Sequence, residues 1–344
     1  MMDLTESIKE KAIELGFSKV GITDTTPFLE EIHTQYTQWI QKGYNAKMDY
    51  LGRNRDRRLN PSMIFEGAKS IVSVAINYNP GRLQKKDKNS AFISRYALGY
   101  DYHRVVTDKL ETLLGFIEKE TKGGVTGRVY CDTAPLLEKA IAERAGLGWL
   151  GKNTALITEE FGSWVFLGEV ILDTELRKDT PGKNLCSDCN LCINACPTGA
   201  ITAPGIIDAS RCISYLTIEN RENIPVELRK ILGNRVFGCD ICQEVCPFNS
   251  NVIKTEEPLL EPQKDLLSIS LEKLFILTRE NFEEQFKDSA IKRAKQNGLL
   301  RNIIVAMGNS GDKKYLPLLR NMLNEENVII KESAAWAIGK IGDR

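Results

Sequence analysis

Apolar residues recur with two different periods along the first half of the chain, and their alternation lays out an α/β domain. Ile8, Ala12, Ile13 and Leu15 fall at helical spacing behind Asp3, which with Glu6 comes close to a capping box, and Gly16 ends that helix. Residues 18–23 read as a strand, and residues 28–51 as a helix and its loop. Residues 70–77 form a continuous apolar, β-rich run, the pattern of a central strand. A lysine-rich polar loop then leads to Ser94-Arg-Tyr-Ala-Leu-Gly-Tyr-Asp-Tyr-His103-Arg104 and a helix over about 104–120. Residues 126–130 predict a strand, 135–145 a helix, and 154–158 and 163–172 two further strands. Beyond Pro262 the β-branched runs thin out and helical patterning takes over.

The chemistry lies between these regions. Cys186, Cys189, Cys192 and Cys196, closed by Pro197, follow the C-x2-C-x2-C-x3-C-P spacing of bacterial ferredoxins, which wraps a 4Fe–4S cube. Cys239, Cys242 and Cys246, closed by Pro247, answer it. In two-cluster ferredoxins the fourth cysteine of each run ligates the other cube. One cube therefore takes Cys186, Cys189, Cys192 and Cys246. The second takes Cys196, Cys239 and Cys242, with Cys212 standing in for the missing first cysteine. Zinc and a disulfide framework are the competing uses, but zinc sites come as separated C-x2-C pairs and not as four cysteines closed by proline. The ninth cysteine, Cys131, reads as a small buried apolar residue.

At 344 residues, two or three domains are expected. Lysine plus arginine and aspartate plus glutamate both number 46, so a polyanionic partner must meet local patches. Eight metal-committed cysteines fit a reducing compartment. The first residues show no apolar signal core or twin arginine, and no run of 18 apolar residues exists. A cytoplasmic protein without a membrane segment is expected.

Clusters only move electrons, so a reaction site is needed elsewhere. His103 stands among Tyr100, Asp101, Tyr102 and Arg104, either as a polar site or simply as a helix start. Asp132 follows a strand and precedes Pro135, which fits an N-cap, or a general acid at the end of a strand facing a crevice. Gly146, Gly148 and Gly151 satisfy G-x-G-x-x-G but follow a helix, which argues against a dinucleotide site and for close backbone approach to a large flat cofactor. Arg53, Arg55, Arg57 and Arg58 read as a solvated basic loop. Two further basic clusters, at 221–235 and 287–301, read as solvated faces or as helices tracking phosphates. Residues 300–312 echo 331–343, with Gly308 on Gly339 and Asp312 on Asp343, an offset of 31 that resembles short HEAT-type helical pairs.

As a whole the chain resembles the epoxyqueuosine reductases. The match is carried by Gly-Tyr-Asp-Tyr-His103, Val-Tyr-Cys-Asp132-Thr-Ala-Pro, Ala-Glu-Arg-Ala-Gly-Leu-Gly-Trp-Leu-Gly-Lys-Asn153, the two cysteine runs, Arg-Cys212-Ile-Ser-Tyr-Leu-Thr, and Ala-Ala-Trp-Ala-Ile-Gly-Lys-Ile-Gly-Asp343. Family members commonly continue past this last motif. The resemblance implies an α+β multidomain protein in three parts. A nitroreductase-like α/β domain (1–175) holds base-off cobalamin, a ferredoxin-like module (176–255) holds two 4Fe–4S clusters, and HEAT-like helices (256–344) bind tRNA. It implies reduction of an epoxide on a modified wobble guanine to an alkene, with electrons passing from clusters to cobalamin. It makes Asp132 the proton donor, with His103 and Tyr102 beside it. Arg58, Ser94, Gly151 and Asn153 match positions near cobalamin, and Ser214, Ile241 and Gln243, next to cluster ligands, would face the corrin. Arg221, Arg229, Lys292, Arg293 and Lys295 become candidate tRNA anchors. A low-potential electron donor and a monomeric state are expected. The rival classes are a reductive dehalogenase-like corrinoid enzyme, a two-cluster electron carrier and a flavin-dependent nitroreductase-like enzyme.

Overall fold

The computed structural model of the chain describes residues 3–81 and 87–342. The lysine-rich stretch at 82–86 and Asp343 of the second repeat lie outside the described residues. The first part runs α1 (Leu4–Glu14), β1 (Lys19–Asp24), α2 (Glu30–Gln41), α3 (Arg55–Leu59), β2 (Ser70–Asn77), β3 (Phe92–Ile93), α4 (Tyr102–Glu120), β4 (Gly127–Tyr130), α5 (Glu138–Arg144), β5 (Trp149–Leu150), β6 (Leu156–Ile157) and β7 (Val165–Leu172). Asp3 caps α1 through the Thr5 N–H, while Glu6 turns to Arg177 instead of closing a capping box.

Four strands form the main sheet in the order β1-β2-β7-β4, and every neighbouring pair is antiparallel. The predicted strand at 154–158 is not among them; Leu156–Ile157 instead pairs with Trp149–Leu150 in a separate small hairpin. An antiparallel sheet has no common carboxyl edge, so any cavity beside Asp132, two residues after β4, differs from the strand-end crevice of a parallel sheet. Helices α1 and α4 cover one face through Ile8, Ala12, Val106 and Leu110 against Val72, Val74 and Val170. Helix α5 covers the other: a Cβ on Gly21 of β1 would lie 2.0 Å from the Ala145 carbonyl oxygen, so only glycine permits that contact. The glycine cluster serves the same purpose, since a Cβ on Gly148 would lie 2.0 Å from the Ile157 carbonyl oxygen. At Gly148 this brings backbone close to backbone within the hairpin.

The cysteine-rich part holds α6 (Leu191–Ala195), the hairpin β8 (Ile201–Ala203) with β9 (Ile206–Ile207), α7 (Ile213–Ile218), α8 (Val226–Leu232), β10 (Arg235–Phe237) and α9 (Ile241–Glu244). Strand β10 pairs in parallel with β3, which ties this part to the first by a backbone ladder. Helices α10 (Leu271–Gln285), α11 (Lys295–Ser310), α12 (Leu316–Asn321) and α13 (Val328–Gly342) follow. One apolar core joins Ile93, Leu98 and Phe237 to Leu274, Ile303, Ile304 and Ala337, so the helical end is packed onto the rest of the chain. Equivalent helices of the two repeats, α11 and α13, meet at Gly308, where a Cβ would lie 2.8 Å from the Ala337 Cα. Gly339 faces open space, so the two aligned glycines are not equivalent. No helix among the described residues is long and apolar enough to cross a membrane.

Candidate active site

The polar cluster begins with a helix cap. Asp101 caps α4 by accepting the His103 N–H at 3.1 Å, and the same carboxylate oxygen lies 2.7 Å from His103 Nδ1. The helix start and the polar site are therefore one feature. His103 Nε2 lies 3.5 Å from Asp132 Oδ2, and the Tyr102 hydroxyl donates to that same oxygen at 2.7 Å. The Tyr102 ring is stacked between Phe166 (4.1 Å between centroids) and His103 (4.0 Å), which fixes where its hydroxyl points. Asp132 is not an N-cap, because α5 starts six residues later behind Leu137. It sits in an irregular loop at φ +55°.

The charges settle as an ion pair. Burial opposes a charged His103, but the Asp101 and Asp132 carboxylates outweigh it and lift the imidazole to about 9. Burial likewise opposes a charged Asp132, and its bonds to His103 and Tyr102 hold it below the ordinary carboxylate range. At neutral pH the proton rests on His103, between two carboxylates.

Asp132 and Tyr102 line a cavity of about 380 Å³. Cys196, Cys212, Cys239 and Cys242 all line the same cavity, as do Asn153, Ser214, Ile241 and Gln243. Between the polar groups the lining is apolar, including Leu156, Val165, Phe166, Leu167, Ile207 and Ile213. Burial pushes the Cys242 thiol up, and Cys239, Cys212, Cys192 and Cys196 push it further. Burial raises Cys246 too, with Cys186, Cys192 and Cys189 adding to it. Cys196, Cys212, Cys239 and Cys242 thus line one cavity together, and Cys246 lies within electrostatic reach of Cys186, Cys189 and Cys192. Cys131 is buried, and its thiol donates to the Leu167 carbonyl at 3.4 Å.

Three residues expected near the cofactor are not among those lining this cavity. Ser94 is buried and donates to Asp240, beneath Gly238, where a Cβ would meet Ser94 Cβ at 2.5 Å. Gly151 packs against Ile157 within the hairpin. Arg58 is buried on α3 and donates to the Tyr50 carbonyl at 3.4 Å, so it is neither a solvated surface residue nor on the cavity wall.

Glu138, Glu169 and Lys139 were not singled out from the sequence. Glu138 lines the cavity at the start of α5 and accepts the Asp132 N–H. Glu169 of β7 is fully buried with both carboxylate oxygens unpartnered; burial, then Glu138 and Asp132, push it well above the ordinary range, which favours its neutral form. Lys139 Nζ donates to the Thr154 carbonyl at 2.8 Å. In sequence all three look like surface charges on a helix and a strand.

The basic clusters are largely structural. Arg229 is buried, donates to the Ile224 carbonyl at 2.8 Å and faces the Trp336 ring. Arg221 donates to the carbonyls of Ile218, Ala294 and Arg293. Both guanidiniums are therefore engaged within the chain, Arg229 buried and Arg221 at the surface. The 287–301 stretch is not one helix: a 3-10 turn spans Ala290–Ala294, and the chain bends at Lys295, φ +60°. Lys292 pairs with Glu283 at 2.8 Å, and Lys295 is exposed. Arg293 pairs with Glu219 through Nε (2.6 Å) and Nη2 (3.2 Å), lies over the Tyr50 ring, and helps hold Asp132 ionised. It therefore belongs to the surroundings of the site.

Two family models match: epoxyqueuosine reductase QueG, DUF1730, over residues 58–133, and a 4Fe-4S double cluster binding domain over residues 185–249. The epoxyqueuosine reductase of Vibrio cholerae is 40% identical over 342 residues, covering 97% of this chain and 91% of that one. A crystal structure of an epoxyqueuosine reductase with an epoxyqueuosine-modified tRNA-Tyr stem loop is 33% identical at TM-score 0.92, covering 99% and 90% of the two chains. The Bacillus subtilis enzyme, solved with its catalytic aspartate loop swung out of the active site, is 32% identical at TM-score 0.90, covering 98% and 90%. By identity and coverage together, this chain belongs to the epoxyqueuosine reductase family of oxidoreductases.

Proposed function

We propose that this protein reduces epoxyqueuosine to queuosine at the wobble position of a tRNA anticodon. Two electrons and two protons enter, both C–O bonds of the epoxide break, an alkene forms and water leaves. The observation that carries this reading is the cavity itself, which Asp132 and Tyr102 line together with four cysteines.

The residues fit the groups the family implies. Each cysteine set crowds thiols whose charges repel one another, and an iron–sulfur core is the positive partner that would hold them ionised. A cavity whose lining is apolar for the greater part suits the large face of a corrin, and a nitroreductase-like domain is the corresponding fold reading. Base-off cobalamin would rest on Ser214, Ile241, Gln243 and Asn153. When bound, the two cubes and the corrin would supply the electrons.

The chain's own part is the proton. An epoxide oxygen departs as an alkoxide, a poor leaving group unless it is protonated as it forms. In the open cavity His103 holds that proton and Asp132 is charged. Filling the cavity removes water, which penalises an ion pair more than its neutral form. The proton then shifts along the 3.5 Å contact from His103 to Asp132, leaving a neutral carboxylic acid facing the substrate. Asp101 holds the imidazole in place throughout. Tyr102 adds a hydrogen bond without losing its own proton, since burial, and the Asp132 charge after it, raise its hydroxyl far above the ordinary range. Arg293, Lys292 and Lys295 remain as tRNA contacts on the HEAT-like end.

The test is direct. Anaerobic protein carrying both cofactors, given a chemical reductant and an epoxyqueuosine-bearing tRNA stem loop, should yield the alkene nucleoside by mass spectrometry. Uptake of clusters and cobalamin without any alkene would sink the reading.

A further inference from the structure

The loop that carries Asp132 has a second fastening, at its backbone. Cys131 and Leu136 are buried and pin its ends, while residues 132–135 between them form no helix or strand. Asp132 itself lies in the left-handed region at φ +55°, which aspartate tolerates without preferring. Its carboxylate is held by Tyr102 and His103. Its N–H is held by Glu138, which is six residues on, at the first position of α5. That helix is itself fixed, because Ile141 and Ala142 are buried against the sheet. Glu138 therefore transmits the position of a rigid element to the one residue of the loop that faces the chemistry.

We propose that Glu138 is a positioning residue that keeps the Asp132 loop turned into the cavity by accepting the Asp132 backbone N–H. This inference rests on the reading of Asp132 as the acid. The side chain suits the task in either protonation state. A carboxylate accepts through both oxygens, and a carboxylic acid still accepts through its carbonyl oxygen. The neighbouring side chains do not displace it: Lys139 is engaged by the Thr154 carbonyl, and burial favours the neutral form of Glu169. The amide oxygen of glutamine would do the same work, and alanine would not.

The experiment is hydrogen–deuterium exchange of the peptide spanning 131–137 in the cluster-loaded full chain, compared with peptides from β2 and β7. Glu138→Ala should speed exchange at the Asp132 amide by about tenfold or more, the protection one hydrogen bond to a carboxylate gives. β2 and β7 should be unchanged. Glu138→Gln should stay close to wild type. Turnover should follow the same order, with Glu138→Ala lowering kcat while leaving KM for the stem loop in place. Three results would overturn the proposal: unchanged exchange in Glu138→Ala, equal acceleration in Glu138→Gln, or acceleration that extends through β2 and β7. Failure of the acid reading is seen separately, as full turnover by Asp132→Asn, and it leaves the exchange comparison standing.

Discussion

Asp132→Asn is the substitution that the geometry interprets most fully. Asparagine is nearly isosteric, and the backbone bond from residue 132 to Glu138 does not involve the side chain, so the loop should stay where it is. Two things change. The amide has no proton to give an alkoxide, and His103 loses one of the two carboxylates that lift it to about 9, so it should titrate closer to its ordinary 6.5. General acid catalysis is worth about 10²–10⁴ in rate, so kcat should fall by that factor. At about 1.4 kcal/mol per decade, the barrier rises by roughly 3–6 kcal/mol. The assay is alkene formation from an epoxyqueuosine-bearing stem loop under single-turnover conditions, with iron and cobalt content measured on the same sample. Intact cofactors with turnover lost, and an imidazole titration moved down by proton resonance, is the expected outcome. Turnover within a few-fold of wild type would remove Asp132 from the proton path, whatever the His103 titration did.

Other predictions follow from the same contacts. Turnover should decline as pH rises through about 9, where His103 gives up its proton. Because that value lies above the unfolded imidazole's, the stabilisation it brings is complete below about 6.5 and lost on the same rise; a kcat/KM profile flat to pH 10 would contradict the assignment. Arg301→Met should lower the thermal midpoint. The buried guanidinium donates to the Leu216 and Asn220 carbonyls at 2.6 and 2.9 Å, and stranding each should cost about 1–3 kcal/mol. Reversing the charge of Lys292 and Arg293 together should weaken stem-loop binding and reduce the slope of log K against log salt by about 0.7 per lost phosphate contact. An unchanged slope would mean that this face serves only its Glu283 and Glu219 pairs.

What the sequence disclosed was set by how local each signal is. The cysteine spacing is a local constraint, and so are the apolar run at 70–77 and the cap that becomes Asp101 of α4. Strand direction was not legible. β2 is buried along its whole length, and a run buried on both faces carries no alternation to distinguish an antiparallel sheet from a parallel one. The basic clusters misled for a related reason. Arg229 and Arg301 look like surface charge until the carbonyls they serve, from Ile224, Leu216 and Asn220, are placed around them. Glu138 and Glu169 gave no signal at all, because what sets them apart is burial beside Asp132, and 31 residues separate them in the chain.

The measurement closest to the centre of this account is the metal content of the chain after anaerobic reconstitution with iron, sulfide and cobalamin. About eight irons per chain are expected, from two four-iron cubes, with stoichiometric cobalt that remains bound through gel filtration. Half that iron, or a corrin that washes off protein with both clusters in place, would contradict it.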